Sequence, residues 1–107
     1  MAKFLIKASY NVDGIKGVMK EGGTRRVAAV QRALSGLGGS VESFYFAFGG
    51  DDVYVIVEAP DNGAAAAMAA AVGASGAMSS YETVVLLTPA EIDAAMNLAV
   101  DYQPPGS

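Results

Sequence analysis

The chain has 107 residues, with 11 acids, 7 bases and no histidine, cysteine or tryptophan. These absences exclude a Ser-His-Asp triad, a cysteine nucleophile, a His/Cys zinc site and a disulfide, and leave proton transfer to Asp, Glu, Lys or Tyr. Hydrophobic residues make up 52% and charged residues 17%, which predicts one folded domain over 1–107 with too few charges to cover its surface.

Lys3–Tyr10 alternates, with Phe4, Ile6, Ala8 and Tyr10 on one face and Lys3, Leu5, Lys7 and Ser9 on the other. That is the period of a strand. Lys3 and Lys7 also break any apolar run, so no signal-peptide core is expected. Asn11–Asp13 turns the chain, with Asp13 as the expected helix N-cap. Ile15, Val18 and Met19 follow at helical spacing. Gly22-Gly23 interrupts that helix, because two adjacent glycines cost roughly 2 kcal/mol in a helix interior. Thr24 is the expected cap of a main helix to about Leu37, with Val27, Val30, Leu34 and Leu37 forming one stripe. Gly38-Gly39 ends it.

Ser40–Phe48 and Val53–Val57 read as two strands joined by the Gly49-Gly50-Asp51-Asp52 turn, a hairpin. Asp61 or Asn62 caps a helix running through the alanines to about Val72, and 73–79 is expected to be a loop. The nineteen uncharged residues from Gly63 to Tyr81 are mostly alanine, glycine and serine. They approach the ~20 residues of a membrane span but lack its bulk, so no span is expected. Tyr81–Leu87 is the fourth strand. Thr88-Pro89, with Glu91 behind, marks a helix start. That helix is expected to run to about Val100, leaving an extended tail over 101–107.

Strand–helix–strand–strand–helix–strand is the ferredoxin-like arrangement: an α+β fold with a four-stranded antiparallel sheet and helices on one face, here with an extra C-terminal helix. Large apolar residues occupy both parities of the strands, as in Phe44, Phe46 and Phe48 against Tyr45, or Val55 against Tyr54 and Ile56. A sheet with one wet face alternates more cleanly. The second face is therefore expected to meet another copy, most simply in a homodimer.

The residues also resemble the GYD domain family, which is grouped with the dimeric α/β barrels. The likeness is carried by the first strand into Gly14-Ile15-Lys16-Gly17, by Phe44-Tyr45-Phe46, by Gly49–Asp52 leading into Val55–Pro60, and by Thr83–Pro89. Gly49 and Asp52 match the Gly-x-Tyr-Asp turn, while Asp51 stands where tyrosine is usual. The resemblance implies a ferredoxin-like oligomer and no established reaction. Relatives in architecture include cofactor-free monooxygenases and muconolactone isomerases, an analogy by fold alone.

Charge is unevenly placed. Lys16, Lys20, Arg25, Arg26 and Arg32 face only Glu21 within their stretch, and no base follows Arg32. The acidic remainder argues against nucleic-acid binding. Lys20, Gly22, Gly23, Thr24, Arg25 and Arg26 form the candidate anion site, since paired glycines before a helix start can aim N–H groups at an anion. The alternative is a helix break with solvated arginines. Lys7, Tyr10, Tyr45 and Glu82 are the candidates for catalysis. If burial at an interface shifted Lys7 or Glu82, a neighbouring tyrosine or lysine could move a proton. The alternative is a cross-strand Lys7–Glu82 ion pair within aromatic packing. Asp51 and Asp52 read as a turn pair without enough ligands for a metal, and no cofactor is expected. The absence of cysteine fits a cytoplasmic protein. The expected function is an oligomeric module binding a small ligand, an anion among the candidates, or a protein partner. The alternative is a cofactor-independent enzyme of the dimeric-barrel type using Lys, Tyr or Glu.

Overall fold

The computed structural model describes residues 1–107. Its elements are β1 (Ala2–Tyr10), α1 (Val12–Glu21), α2 (Gly23–Gly36), β2 (Ser40–Phe46), β3 (Val53–Ala59), α3 (Asn62–Ala74), β4 (Met78–Leu86) and α4 (Pro89–Met96). The sheet order is β2-β3-β1-β4 and every neighbouring pair is antiparallel. This is the expected ferredoxin-like fold with an added C-terminal helix.

The alternation in β1 sorts the sheet into two faces. Phe4, Ile6 and Ala8 join Val53, Val55, Val57 and Ala59 of β3 under the helices, where Leu34 of α2 and Met68 of α3 complete the core. Lys3, Leu5 and Lys7 point to the opposite face, beside Leu86, Val84 and Glu82 of β4 and Glu58, Ile56 and Tyr54 of β3. No helix covers that second face, since α1, α2 and α3 all pack against the first. Only 10 of the 107 residues are buried, so much apolar surface remains for contacts outside the single chain.

Several boundaries differ from those read in the sequence. The N-cap of α1 is Asn11, not Asp13. The Asn11 Oδ1 accepts from the Gly14 N–H at 2.8 Å, while its Nδ2 donates to the Gly76 carbonyl at 2.6 Å. Asn11 thus starts the helix directly after β1 and ties it to the approach of β4. The N-cap of α2 is Gly22, not Thr24, and has no side-chain cap bond. Gly22 has φ +88° and donates its N–H to the Val18 carbonyl at 2.7 Å. That left-handed φ turns the chain between the two helices at a position where only glycine is unstrained. The C-terminus of α2 is the expected glycine stop: Gly38 and Gly39 donate to the Ser35 and Leu34 carbonyls at 3.1 and 2.8 Å.

β2 stops at Phe46 rather than Phe48, because the Ala47 N–H donates to the Asp52 carbonyl at 2.8 Å and closes the hairpin there. A register shift between Val41 and Ser43 interrupts β2, and Gln31 of α2 accepts from the Val41 N–H at 2.8 Å. α3 reaches Ala74 and β4 begins at Met78, where a loop over 73–79 was expected; β4 gains its first residues by pairing with Ser9 and Tyr10. α4 ends at Met96 rather than Val100. It packs extensively on no other element, so no tertiary contact extends so short a helix. No helix is long and apolar enough to cross a membrane.

Candidate functional site

A cavity lies between the sheet and helices α2 and α3. It has a volume of about 340 Å³, and 15 of its 17 lining residues are hydrophobic. Its floor is the helix-facing side of the strands, including Ile6, Val53 and Val55. Its walls are small: Ala29 and Ala33 from α2, and Ala71 from α3. The alanine helix has a physical consequence here. A helix of short side chains cannot fill the space over a sheet unless it moves closer. Met68 alone reaches deep into the core, and the gap beside it persists.

Four polar side chains meet the cavity: Tyr10 at the end of β1, Tyr81 in β4, Arg26 in the first turn of α2, and Ser75 just after α3, whose Oγ already donates to the Val72 carbonyl at 2.6 Å. Arg26 is the only charged residue in the lining. Its Nη1 lies 3.5 Å from the Glu21 Oε2, a long contact that leaves donors over. Burial pushes the Tyr10 phenol above its ordinary range, and the nearby Arg26 charge partly offsets this. Burial also raises Tyr81, against a hydrogen bond with Thr83. Both phenols carry their proton at neutral pH, as an ordinary tyrosine does, and each has a hydrogen-bond donor to offer. Tyr10 is held from behind, where its backbone N–H donates to the Asp52 Oδ2 at 2.9 Å.

The four residues singled out for catalysis divide between the two faces. Tyr10 lines the cavity, while Lys7, Tyr45 and Glu82 lie on the open face. Lys7 stands opposite Glu82 in the β1–β4 register, with its Nζ 3.8 Å from the Glu82 Oε2. It is also 3.8 Å from the Asp51 Oδ2. Asp51, at the position where tyrosine is usual, thus joins Lys7 on the open face and accepts from the Ser9 Oγ at 3.3 Å. Asp51 and Asp52 point to different partners, as neighbouring residues entering a strand should. Tyr45 pairs with Tyr54 and is largely exposed.

The six residues of the candidate anion site differ in their surroundings. Lys20, Thr24 and Arg25 are exposed, as is Gly22 at the turn. Gly23 lies under the Phe46 ring, where a Cβ would come within 3.0 Å of it. Arg26 alone enters the large cavity. Tyr81 was not among the sequence candidates. The signal that could have found it is topological: β4 runs beside β1 with Tyr81 opposite Ala8, a helix-facing position.

The model of the GYD domain family matches residues 4–96, nearly the whole folded body. The chain belongs to that family. No curated protein and no solved structure matches it.

Proposed function

We propose that this GYD-domain protein is a homodimeric, cytoplasmic binding module for a small, largely apolar molecule carrying one anionic group. The observation that carries the reading is the cavity between the sheet and α2/α3, apolar except for Tyr10, Ser75, Tyr81 and Arg26. A cavity of this size holds a small ligand, and a few placed polar groups orient it. Arg26 supplies a fork suited to a carboxylate or similar anion. Tyr10 and Tyr81 supply donors. Protonated at neutral pH like any tyrosine, both can donate to the anionic group of a ligand. The open face, with Leu5, Ile56, Val84 and Leu86 among its ion pairs, supports the dimer.

Octanoate and octanol distinguish the parts of the reading. Titration calorimetry should detect octanoate binding, with octanol weaker. Arg26→Gln should weaken octanoate about tenfold, in line with a charge-assisted hydrogen bond of about 1.5 kcal/mol or more, and leave octanol unchanged. Ala71→Trp should fill the cavity and abolish binding of both. Binding that survives Ala71→Trp, or an Arg26→Gln loss equal for both compounds, overturns the assignment.

A further inference from the structure

From the end of β4 onward the chain leaves the folded body. α4 has no buried residue, and Leu87, Ile92, Met96, Leu98, Val100 and Tyr102 are all exposed. The radius of gyration is 16.9 Å, against about 13 Å for a compact chain of this length. An isolated helix of eight residues is marginal in water and gains its stability from packing. The arm is also acidic: Glu91, Asp93 and Asp101 are its charges, and it has no base.

A surface of opposite character lies at the other end of the sheet. α1 exposes Val12, Ile15 and Met19, and the β2–β3 turn leaves Phe48 fully exposed with Phe46 partly so. Between them is a second cavity of about 280 Å³, bounded by Ile15, Val18, Gly23 and Phe46, with Asp52 its one charged residue, whose Oδ2 accepts from the Tyr10 N–H at 2.9 Å. Lys16, Lys20 and Arg25 stand exposed on the same two helices. This is the basic stretch of the chain beside its most exposed aromatic residue.

We propose that the arm over 87–102 of one copy docks on the α1–Phe48 surface of a second copy, with Ile92 or Met96 seated in the smaller cavity. Charge complementarity selects this surface: the arm is acidic and apolar, the exposed bases Lys16, Lys20 and Arg25 stand on the two helices that supply Ile15, Val18 and Gly23 to the groove, and no base lies anywhere after Arg32 to serve the arm locally. Distance selects a second copy. Leu86 pairs with Lys3 and Met78 with Tyr10, so the arm leaves β4 at the far end of β1 from the groove. Seven strand residues separate the two ends by roughly 24 Å. Ile92 lies one helical turn into α4, about 5 Å along its axis, and does not reach the groove of its own chain. A two-fold axis makes the exchange reciprocal and closed. Each copy then contributes the sixteen residues of the arm and the eight that line the groove, about the 20–30 residues a side of a stable interface.

The chain has no native cysteine, so introduced thiols report unambiguously. Full-length Met19→Cys and Met96→Cys proteins are mixed in equal amounts, oxidised mildly and separated without reductant. The mixed 19–96 disulfide dimer should exceed both like-with-like dimers by at least fivefold. A second arm tests the charges. Asp93→Lys/Asp101→Lys protein should associate at least tenfold more weakly with itself, and adding Lys16→Glu/Lys20→Glu protein should restore association. Random or like-with-like cross-linking overturns the proposal. So does a monomeric internal disulfide in a chain carrying both cysteines at high dilution, because that places the arm on its own body. Charge-reversed proteins that fail to rescue each other also overturn it.

Discussion

Two glycines of α1, three residues apart, have opposite surroundings. Gly14 is the only buried residue of the helix, and a Cβ there would run into the Ala77 carbonyl. That carbonyl is already committed, since it accepts from the Asn11 N–H at 3.0 Å. Gly17 has nothing within 4 Å of where a Cβ would sit. Gly14→Ala must push α1 away from the start of β4, an overpacking change costing about 1–3 kcal/mol. Gly17→Ala should stabilise by about 0.5–1 kcal/mol, because alanine gives up less backbone freedom than glycine in an exposed helix. Urea unfolding midpoints of the two variants should move in opposite directions from the parent. A shift in the same direction would contradict the close approach of α1 to Ala77. The same contact shows why Asp13 was the wrong cap to expect. A helix begun at Asp13 would place Gly14 in its first residue, whereas Asn11 puts it a turn inside and against β4. Local cap preference favours Asp and Asn about equally, so the choice was made by a tertiary contact.

At the scale of the element, α4 is the clearest separable unit. The Thr88 side chain accepts from the Glu91 N–H at 3.2 Å, and the Glu91 carboxylate accepts from the Thr88 N–H at 3.0 Å. That reciprocal cap, with Pro89 behind it, was legible in the sequence because every contributor lies within four residues. The hydrogen bonds from Thr88 hold the Glu91 carboxyl below its ordinary range. The sign follows from linkage. A carboxyl depressed in the helix contributes stability above its ordinary pKa, and the contribution is lost as pH falls through the lower, helical value. In protein diluted to the monomer, the helical signal at 222 nm should therefore decline in the acid range below the usual carboxylate pKa. Thr88→Ala should remove about 1 kcal/mol of local helix stability and return the Glu91 carboxyl, followed by NMR, toward its ordinary pKa. The global unfolding midpoint of the monomer should not move, because α4 supports no other element. A shared loss of midpoint and helix would mean that α4 is part of the cooperative body. By contrast, the ends of β2 and β4 were not legible. Their limits depend on partners 5 to 71 residues away, such as the Asp52 carbonyl for Ala47 and the Ser9–Tyr10 end of β1 for Met78–Ser80. Strand period alone carries no such information.

For the whole molecule, the two faces of the sheet set different tasks. The helix face was legible as a core. The cavity itself was not legible, since small side chains usually bring helix and sheet together and only the placement of α3 decides. The open face was legible as both apolar and charged, and the structure joins those features in one layer. Ile56 sits there between Leu5 of β1 and Ser43 of β2. Lys7 lies between Asp51 and Glu82, and Lys3 pairs with Glu42 at 2.9 Å. Half-exposed ion pairs of this kind contribute little in a monomer, where water screens them. Covering the face would make their geometry matter more, because water would no longer compete for the same groups. Ile56→Glu places a carboxylate at the apolar centre of this layer without touching the helix-side core. The isolated chain should keep its fold, since Ile56 is already partly exposed. Sedimentation over a range of concentrations should show the dissociation constant of the proposed dimer raised at least tenfold, which is about 1.4 kcal/mol. Circular dichroism at low concentration should match the parent. An unchanged dissociation constant with intact fold would remove the sheet face from the interface and leave assembly to the arm alone. Cross-linking between positions 19 and 96 would still report that contact, so the two surfaces can be tested separately.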